Sequence, residues 1–424
     1  MNTGNQNDVF LIHDDKKYTY ADLWRQLNSI TVCNRYVYIQ HNDPYRVFIA
    51  IIHSLIYEYP IELLDGDFSE SELLRLGLSQ EMILTDASPL AKQSNKNLDS
   101  WHALAELLNE RLVSSTWSIS LFTSGSTGIP KRVTHHLKSL ARNVKHSVQF
   151  QGHIWAFAYN PTHIAGIQVF LQAIWNRNQI VYVFDQPINQ VPDQLDSCSV
   201  SHISATATYY RTLLPYLKIE IASMQRVTLG GEKFDLKLVK KLESYFPHAQ
   251  FRNIYASTEA GSLFTSAGDI FQIKKTNQHQ VRILEGQLYI HRSVMGTSPV
   301  DSEWYATGDL VEQLSEVEFK FVSRDSETIN VGGYKVNVLE VESVLLEFPG
   351  ITDVRVVPKA NKVTGYILTA EVVKKADTDD ATLKKNIKQY AAEHLQAWKV
   401  PRIISIVPEI PQSRSGKKSR INNE

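Results

Sequence analysis

Leu121-Phe122-Thr123-Ser124-Gly125-Ser126-Thr127-Gly128-Ile129-Pro130-Lys131 is the stretch that decides how this chain is read. From Thr123 onward it holds four hydroxyl side chains, two glycines and a closing lysine, directly after an alternating strand pattern of Trp117, Ile119 and Leu121. Glycine takes left-handed dihedrals at no steric cost and lets backbone approach a ligand. Amides and hydroxyls then converge as donors, the way loops cradle phosphate oxygens. Lys131 adds a point charge at the exit. The spacing is not G-x-x-x-x-G-K-[ST], and no helix starts behind the lysine, so this is not a Walker loop.

The remainder of the chain sets bounds. Its 424 residues allow two or three domains, at roughly 150 residues each. Hydrophobic content of 43% and charged content of 21% are those of an ordinary globular protein. A net charge of −1 gives no electrostatic footprint for nucleic acid. Cys33 and Cys198 have no motif spacing, so neither a disulfide framework nor a zinc ribbon is indicated, and a reducing, cytoplasmic setting fits. The N-terminal stretch lacks an apolar signal core. The longest apolar run, Val47 to Leu64, is broken by His53, Tyr57, Glu58, Pro60 and Glu62, and reads as a buried helix followed by a strand.

Strand and helix patterns alternate from the start, which predicts an α/β architecture. Leu23, Leu27 and Ile30 mark one helix, residues 45–57 a second, and Ile61–Leu64 a strand ending at Asp65. Leu137, Leu140, Ala141, Val144 and Val148 have the spacing of an amphipathic helix. Ile180–Phe184 and Arg226–Leu229 read as strands, with a helix on Tyr209, Leu213 and Leu214 between them. After Val322 the polar stretch Ser323–Glu327 reads as a boundary. Beyond it, Asn337 and Glu340 approximate a capping box, and Val341, Val344, Leu345 and Phe348 form a core stripe. Strands at 351–358 and 363–374, a helix near 381–396 and a strand at 402–407 complete a small α+β unit.

Further motifs follow the loop in a fixed order. Tyr159-Asn160-Pro161-Thr162-His163-Ile164-Ala165-Gly166 places a histidine at a strand-to-helix turn. Leu229-Gly230-Gly231-Glu232 ends a strand in two glycines, and Asn253-Ile254-Tyr255-Ala256-Ser257-Thr258-Glu259 groups an aromatic, a hydroxyl and a carboxylate. Tyr305-Ala306-Thr307-Gly308-Asp309, then Arg324, Asn330-Val331-Gly332-Gly333, and finally Ser415-Gly416-Lys417-Lys418-Ser419-Arg420 complete the set.

Taken in this order, the set resembles the adenylate-forming superfamily of acyl- and aryl-CoA synthetases, nonribosomal adenylation domains and beetle luciferases. The resemblance runs from the Tyr18 segment to Arg420. It implies a large N-terminal domain of mixed sheets and helices (1–322), a hinge (323–326), and a small mobile α+β C-terminal domain (327–424). It implies that Thr123, Ser124, Gly125, Ser126, Thr127, Gly128 and Lys131 hold the ATP phosphates. Tyr255, with Ala256 beside it, stacks on adenine, bordered by Gly231 and Glu232. Thr258 bonds the α-phosphate, Glu259 binds Mg²⁺, Asp309 and Arg324 take the ribose hydroxyls, and Lys417 bridges carboxylate and α-phosphate. His163 matches an acyl-pocket gate, beside the alternative of a packed core histidine. His135 and His136 are read as structural.

The resemblance also implies the reaction. A carboxylic acid is converted to acyl-AMP with pyrophosphate release, then to a thioester with CoA or, alternatively, with the phosphopantetheine of an acyl carrier protein. A nucleotide-binding scaffold without activity is the reading from another class. The Pro161–Gly166 segment lacks the acidic residue that amino-acid-activating members carry, so a fatty or aromatic acid is expected. Ala256, Ala260, Gly261 and Ser262 are small, which favours a bulky apolar group. Departures are Ser323 before the arginine, Ala256 after the tyrosine, Ser326 at the hinge and Asn330 in place of a lysine. The region before residue 117 is short for an acyl-CoA member, which suggests a more open pocket wall or one completed by a partner.

Overall fold

The computed structural model describes residues 8–29, 38–66, 68, 70–84, 100–123, 131–297, 302–324, 328–331, 334–361, 365–375, 379–413 and 417–419. The alternation of strand and helix patterns resolves into four sheets among these residues. The largest has eight strands. Six of them run parallel in the order Gln250–Ser257, Arg226–Gly230, His202–Ala205, Ile154–Phe157, Gln179–Tyr182 and Val9–His13, with antiparallel strands Gly261–Ser266 and Lys16–Thr19 at the edges. Near-continuous apolar strands of this kind are what a parallel sheet covered on both faces requires. Ile203, Val227 and Ala156 face one core, while Phe157, Ile180 and Tyr182 face the other.

A second, five-stranded sheet carries the deciding stretch. Ile83–Leu84, Tyr38–Gln40, Ile61–Leu64 and Ser118–Thr123 are parallel, and Lys131–His136 returns antiparallel with Thr123 opposite Lys131. These last two strands pair as the arms of a β-hairpin. Ser124–Pro130 lie outside the described residues. The helix Pro44–Tyr57 packs over both sheets through Phe48, Ile51, Ile52 and Leu55, capped by Asp43, whose carboxylate accepts from Tyr45 N. Trp117 anchors the start of the hairpin, fully buried, with its indole N–H donating to Ser54 Oγ at 2.9 Å.

A third, antiparallel sheet joins Ile270–Gln272, Glu318–Arg324, Trp304–Gln313, Gln287–His291 and Val281–Leu284. The fourth combines Thr328–Val331, Tyr334–Asn337, Ile351–Asn361, Gly365–Lys374 and Ile403–Ile406 with the helices Val338–Leu345 and Asp380–His394. Asn337 does cap its helix, accepting from Leu339 N, but Glu340 pairs with Lys399 rather than closing a reciprocal box.

One expected element is cut short. The spacing of Leu137 to Val148 predicts a helix, yet the helix ends at Leu140 and Val148 is 82% exposed. Tertiary bonds draw the chain aside: Arg142 donates to Val294 O at 2.7 Å and Asn143 to Ser262 O at 2.6 Å. No helix among the described residues is long and apolar enough to cross a membrane.

Trp117→Ala removes both a large buried ring and the partner of Ser54. Its cost should be about 3–5 kcal/mol, seen as an earlier urea midpoint for the unit that contains the hairpin. A midpoint shift within error of the wild type would contradict the assigned packing.

Candidate active site

Parallel strands share one carboxyl edge, and in open α/β sheets ligands bind beyond that edge. In the large sheet, the strand ends deliver Tyr159–His163, Thr206, Gly230–Glu232 and Ser257–Glu259 to one side of the molecule. In the second sheet the same edge delivers Asp65 and Thr123, the last described residue of its strand. Residues far apart in sequence thus meet for a reason of topology.

Asp309 is the hub. Its carboxylate is 1% exposed, and it accepts from the Tyr255 hydroxyl on one oxygen and from Arg324 Nε at 2.7 Å on the other. Gly308, at φ +73°, supplies the left-handed turn that aims it. Burial, and then the Asp309 charge, push the Tyr255 phenol well above its ordinary range, so it stays a donor. The Tyr255 ring packs among Phe264 and Phe271. Three residues predicted for the adenosine moiety are therefore one bonded set.

The Thr258–Glu259 turn is held from below. His135, buried on the strand leaving the hairpin, donates Nε2–H to Thr258 O at 2.6 Å, and Gly296 N donates to Glu259 O at 2.7 Å. The acceptor fixes the Nε2–H tautomer. Burial lowers the His135 pKa, which favours the neutral ring. Tyr305 hydrogen-bonds the Glu259 carboxylate, and burial followed by that charge pushes its phenol up to about 12. Magnesium is commonly held by one or two carboxylates with substrate phosphates completing the shell. The single carboxylate of Glu259 beside the hairpin fits that donor set. No group of three or more His, Cys, Asp or Glu suited to a metal exists among the described residues.

Lys417 arrives from the fourth sheet's unit. Gly231 has φ +78°, and a Cβ there would lie 2.9 Å from Lys417 Cε. A side chain there would sit on a strained backbone and would have to push the end of the lysine aside. Burial, and then the neighbouring Arg324, push the Lys417 ammonium below its ordinary pKa, against the pull of Glu232, Asp309 and Glu259. Flanking bonds fix the tail: Ser413 N donates to Lys417 O at 2.6 Å, Lys418 Nζ pairs with Asp353, and Arg355 donates to Ser419 O at 2.8 Å. Glu232 accepts from Thr208 N at 2.7 Å and Oγ1 at 2.8 Å, and from Lys418 N at 3.4 Å.

His163 caps the helix Ile164–Trp175 in backbone geometry only. Its ring donates instead to Asp65, at 3.0 and 3.1 Å from the two oxygens, and the Thr162 hydroxyl joins them. Gly166 is required because the Asn160 carbonyl occupies the space of a side chain. Asp65, which the sequence marks only as a strand end, is thus a member of the site that motif reading misses. His135 is a second. A signal for Asp65 existed: a carboxylate at the carboxyl end of a predicted parallel strand. Lys131 is exposed opposite Thr123, and Ser124, Gly125, Ser126, Thr127 and Gly128 lie outside the described residues, as do Ser326, Gly332 and Gly333.

A carboxyl-edge site that gathers a buried carboxylate bonded to its tyrosine and arginine, a braced Thr258–Glu259 turn and an imported lysine is that of an AMP-binding enzyme. Residues 66–287 match the AMP-binding enzyme family and residues 340–417 the AMP-binding enzyme C-terminal domain. The chain belongs to this family. It is similar to the 2-succinylbenzoate–CoA ligase of Listeria monocytogenes serotype 4b, 25% identical over 72% of this chain and 70% of that protein. The Staphylococcus aureus (strain Newman) enzyme of the same name is 23% identical over 85% and 75%. Among solved structures, o-succinylbenzoate CoA synthetase from Bacillus subtilis, with its acyl-adenylate intermediate, superposes with TM-score 0.71 at 20% identity, over 97% of this chain and 94% of that one. ATP-bound MatB from Rhodopseudomonas palustris gives TM-score 0.71 at 15% identity, over 98% and 95%.

Gly231→Ala combines a disfavoured positive φ with a collision against Lys417. The variant should push the Lys417 side chain off Gly231 and speed tryptic cleavage after Lys417 several-fold, while the bonds of the tail to its own unit persist. Cleavage at the wild-type rate would show that the close approach does not shield the lysine.

Proposed function

We propose that this chain is an AMP-forming acid–thiol ligase, which activates a carboxylic acid with ATP and transfers the acyl group to CoA. The observation that carries the proposal is the position of Lys417, set over Gly231 in the field of Glu232, Asp309 and Glu259. A lysine brought from a separate unit into an acidic carboxyl-edge site has no packing purpose that a leucine would not serve better. It suits a site where negative charge concentrates during reaction.

In this reading the acid's carboxylate attacks the α-phosphorus of ATP in line with departing pyrophosphate. Carboxylate and triphosphate repel each other, so the barrier falls where cations screen both and donors meet the charge on the equatorial oxygens. Lys417 bridges the two anions, Thr258 bonds the α-phosphate, and the hairpin with Lys131 holds the leaving phosphates. Glu259 would hold Mg²⁺, which supplies further charge neutralisation when bound. Asp309 and Arg324 take the ribose, Tyr255 stacks on the adenine with Ala256 beside it, and Gly231 and Glu232 border the base. Fixing both reactants also removes the entropic cost of their encounter. A thiolate then attacks the acyl carbonyl of the mixed anhydride, forming the C–S bond of the thioester as the C–O bond breaks and AMP leaves.

CoA is the acceptor in the curated relatives' names, and they are named for an aryl dicarboxylic acid. CoA is accordingly the acceptor in this reading, and a carrier-protein thiol is the outcome of the test that would revise it. Purified protein given ATP, Mg²⁺, a panel of carboxylic acids and either CoA or holo carrier protein should form acyl-CoA. Acylation of the protein thiol alone overturns the choice of acceptor. Lys417→Ala should lower acid-dependent ATP–pyrophosphate exchange about 10²–10³-fold, and undiminished exchange would remove the mechanistic assignment.

The lowered Lys417 pKa adds a pH signature. The working form is the ammonium, so exchange holds below the folded-state pKa and declines as pH rises through it, at a pH below the ordinary lysine value. Lys417→Arg should abolish that alkaline limb, because guanidinium stays charged throughout. The same limb in the arginine variant would assign it to another group.

A further inference from the structure

Thr258, Glu259 and Ala260 form a turn outside the strand ladder, where pairing ends with Ser257 opposite Gly261. Backbone carbonyls that leave a ladder need partners from elsewhere. The first two of this turn find them in elements remote in sequence. His135 Nε2–H donates to Thr258 O at 2.6 Å, and Gly296 N donates to Glu259 O at 2.7 Å. The Glu259 carboxylate is bonded separately by Tyr305, from the antiparallel sheet.

Both donors lead back to the hairpin. His135 lies on its return arm, Lys131–His136, four residues past Lys131, roughly 13 Å at the rise of a β-strand. Alternation buries Val133 and His135 on one face of that arm. An aliphatic side chain fills such a place without the desolvation cost of an imidazole, so the ring is explained by its N–H. Gly296 lies on the segment Arg292–Thr297, which is fastened to the same arm. Thr297 N donates to Thr134 O at 2.7 Å, and Thr134 N to Thr297 O at 3.2 Å. Arg142 adds a bond to Val294 O at 2.7 Å. The fit at Gly296 is close: a Cβ there would lie 2.7 Å from Thr134 O and 2.8 Å from His135 Cε1. The first of these atoms is backbone in a paired strand and cannot swing away. Arm, segment and turn thus meet at His135.

We propose that His135 and Gly296 are positioning residues, which brace the Thr258–Glu259 turn against the return arm of the hairpin and so fix where Glu259 offers its carboxylate to the Mg²⁺ of bound ATP. They act through the backbone of the turn. The inference rests on the reading of Glu259 as the magnesium carboxylate within the ligase proposal. It gives a function to a histidine that the sequence marks only as structural. Loss of an outer partner that orients a metal-binding group lowers metal affinity about 10–100-fold.

The test is ATP binding by titration calorimetry, with and without Mg²⁺, in the absence of any acid. Wild-type protein should bind ATP more tightly when Mg²⁺ is present. His135→Leu keeps an apolar filling and deletes the donor. It should raise the Mg²⁺ concentration that half-saturates this gain about 10–100-fold, while Mg²⁺-free ATP binding changes less than about two-fold. That Mg²⁺-free value also reports an intact fold. His135→Gln, whose amide stands in for Nε2–H, should recover most of the loss. Gly296→Ala leaves the histidine in place and should reproduce the shift through its collision with Thr134 O. Acid-dependent ATP–pyrophosphate exchange by the variants should return toward the wild-type rate as Mg²⁺ is raised. A wild-type Mg²⁺ dependence in both His135→Leu and Gly296→Ala overturns the brace, and so does a weakening that is equal with and without Mg²⁺. In either case, exchange by the wild-type protein leaves the ligase reading intact. Mg²⁺-strengthened binding that needs His135, with no exchange for any acid, supports the brace and overturns the ligase reading instead.

Discussion

The buried carboxylate of Asp309 ties the architecture together. It sits on the antiparallel sheet, takes the Tyr255 hydroxyl from the parallel sheet and Arg324 from the last residue described before the chain passes to the C-terminal unit. A carboxylate at 1% exposure is tolerable only with both oxygens satisfied. That requirement fixes the distance between the two sheets at the crevice. It also leaves the Arg324 guanidinium close enough to depress Lys417. One satisfied charge therefore positions the adenosine side of the site and sets the electrostatics of the reacting side.

The Lys417 approach has the opposite character. Between the units lie an exposed ion pair, Lys237 with Glu347, and a half-buried bond from the Lys418 backbone to Glu232. Surface pairs contribute little, about 0–1 kcal/mol each. Within the C-terminal unit the tail is clamped firmly, by Lys418 on Asp353 and Val354 O and by Arg355 on Ser419 O. The lysine is thus rigid on its own unit and lightly held at the site. Such an arrangement delivers a precise cation without locking it there, as a reaction with two successive chemical steps requires.

What the sequence made legible is local. The hairpin tip, the tyrosine–carboxylate strand end, the turn at Asp309 and the tail lysine each place their residue types within a few positions, so backbone chemistry alone reveals them. The pairs that complete the site span the chain: His163 with Asp65, 98 positions apart, and His135 with Thr258, 123 apart. No window reading detects these, because they exist only once parallel strands share an edge. His135 looked structural for the same reason. Its bond to Thr258 O supports the turn that carries Glu259, so its role is structural and functional at once. The helix expected to run on to Val148 fails in the other direction, a valid apolar period overruled by Arg142 and Asn143 bonding elsewhere.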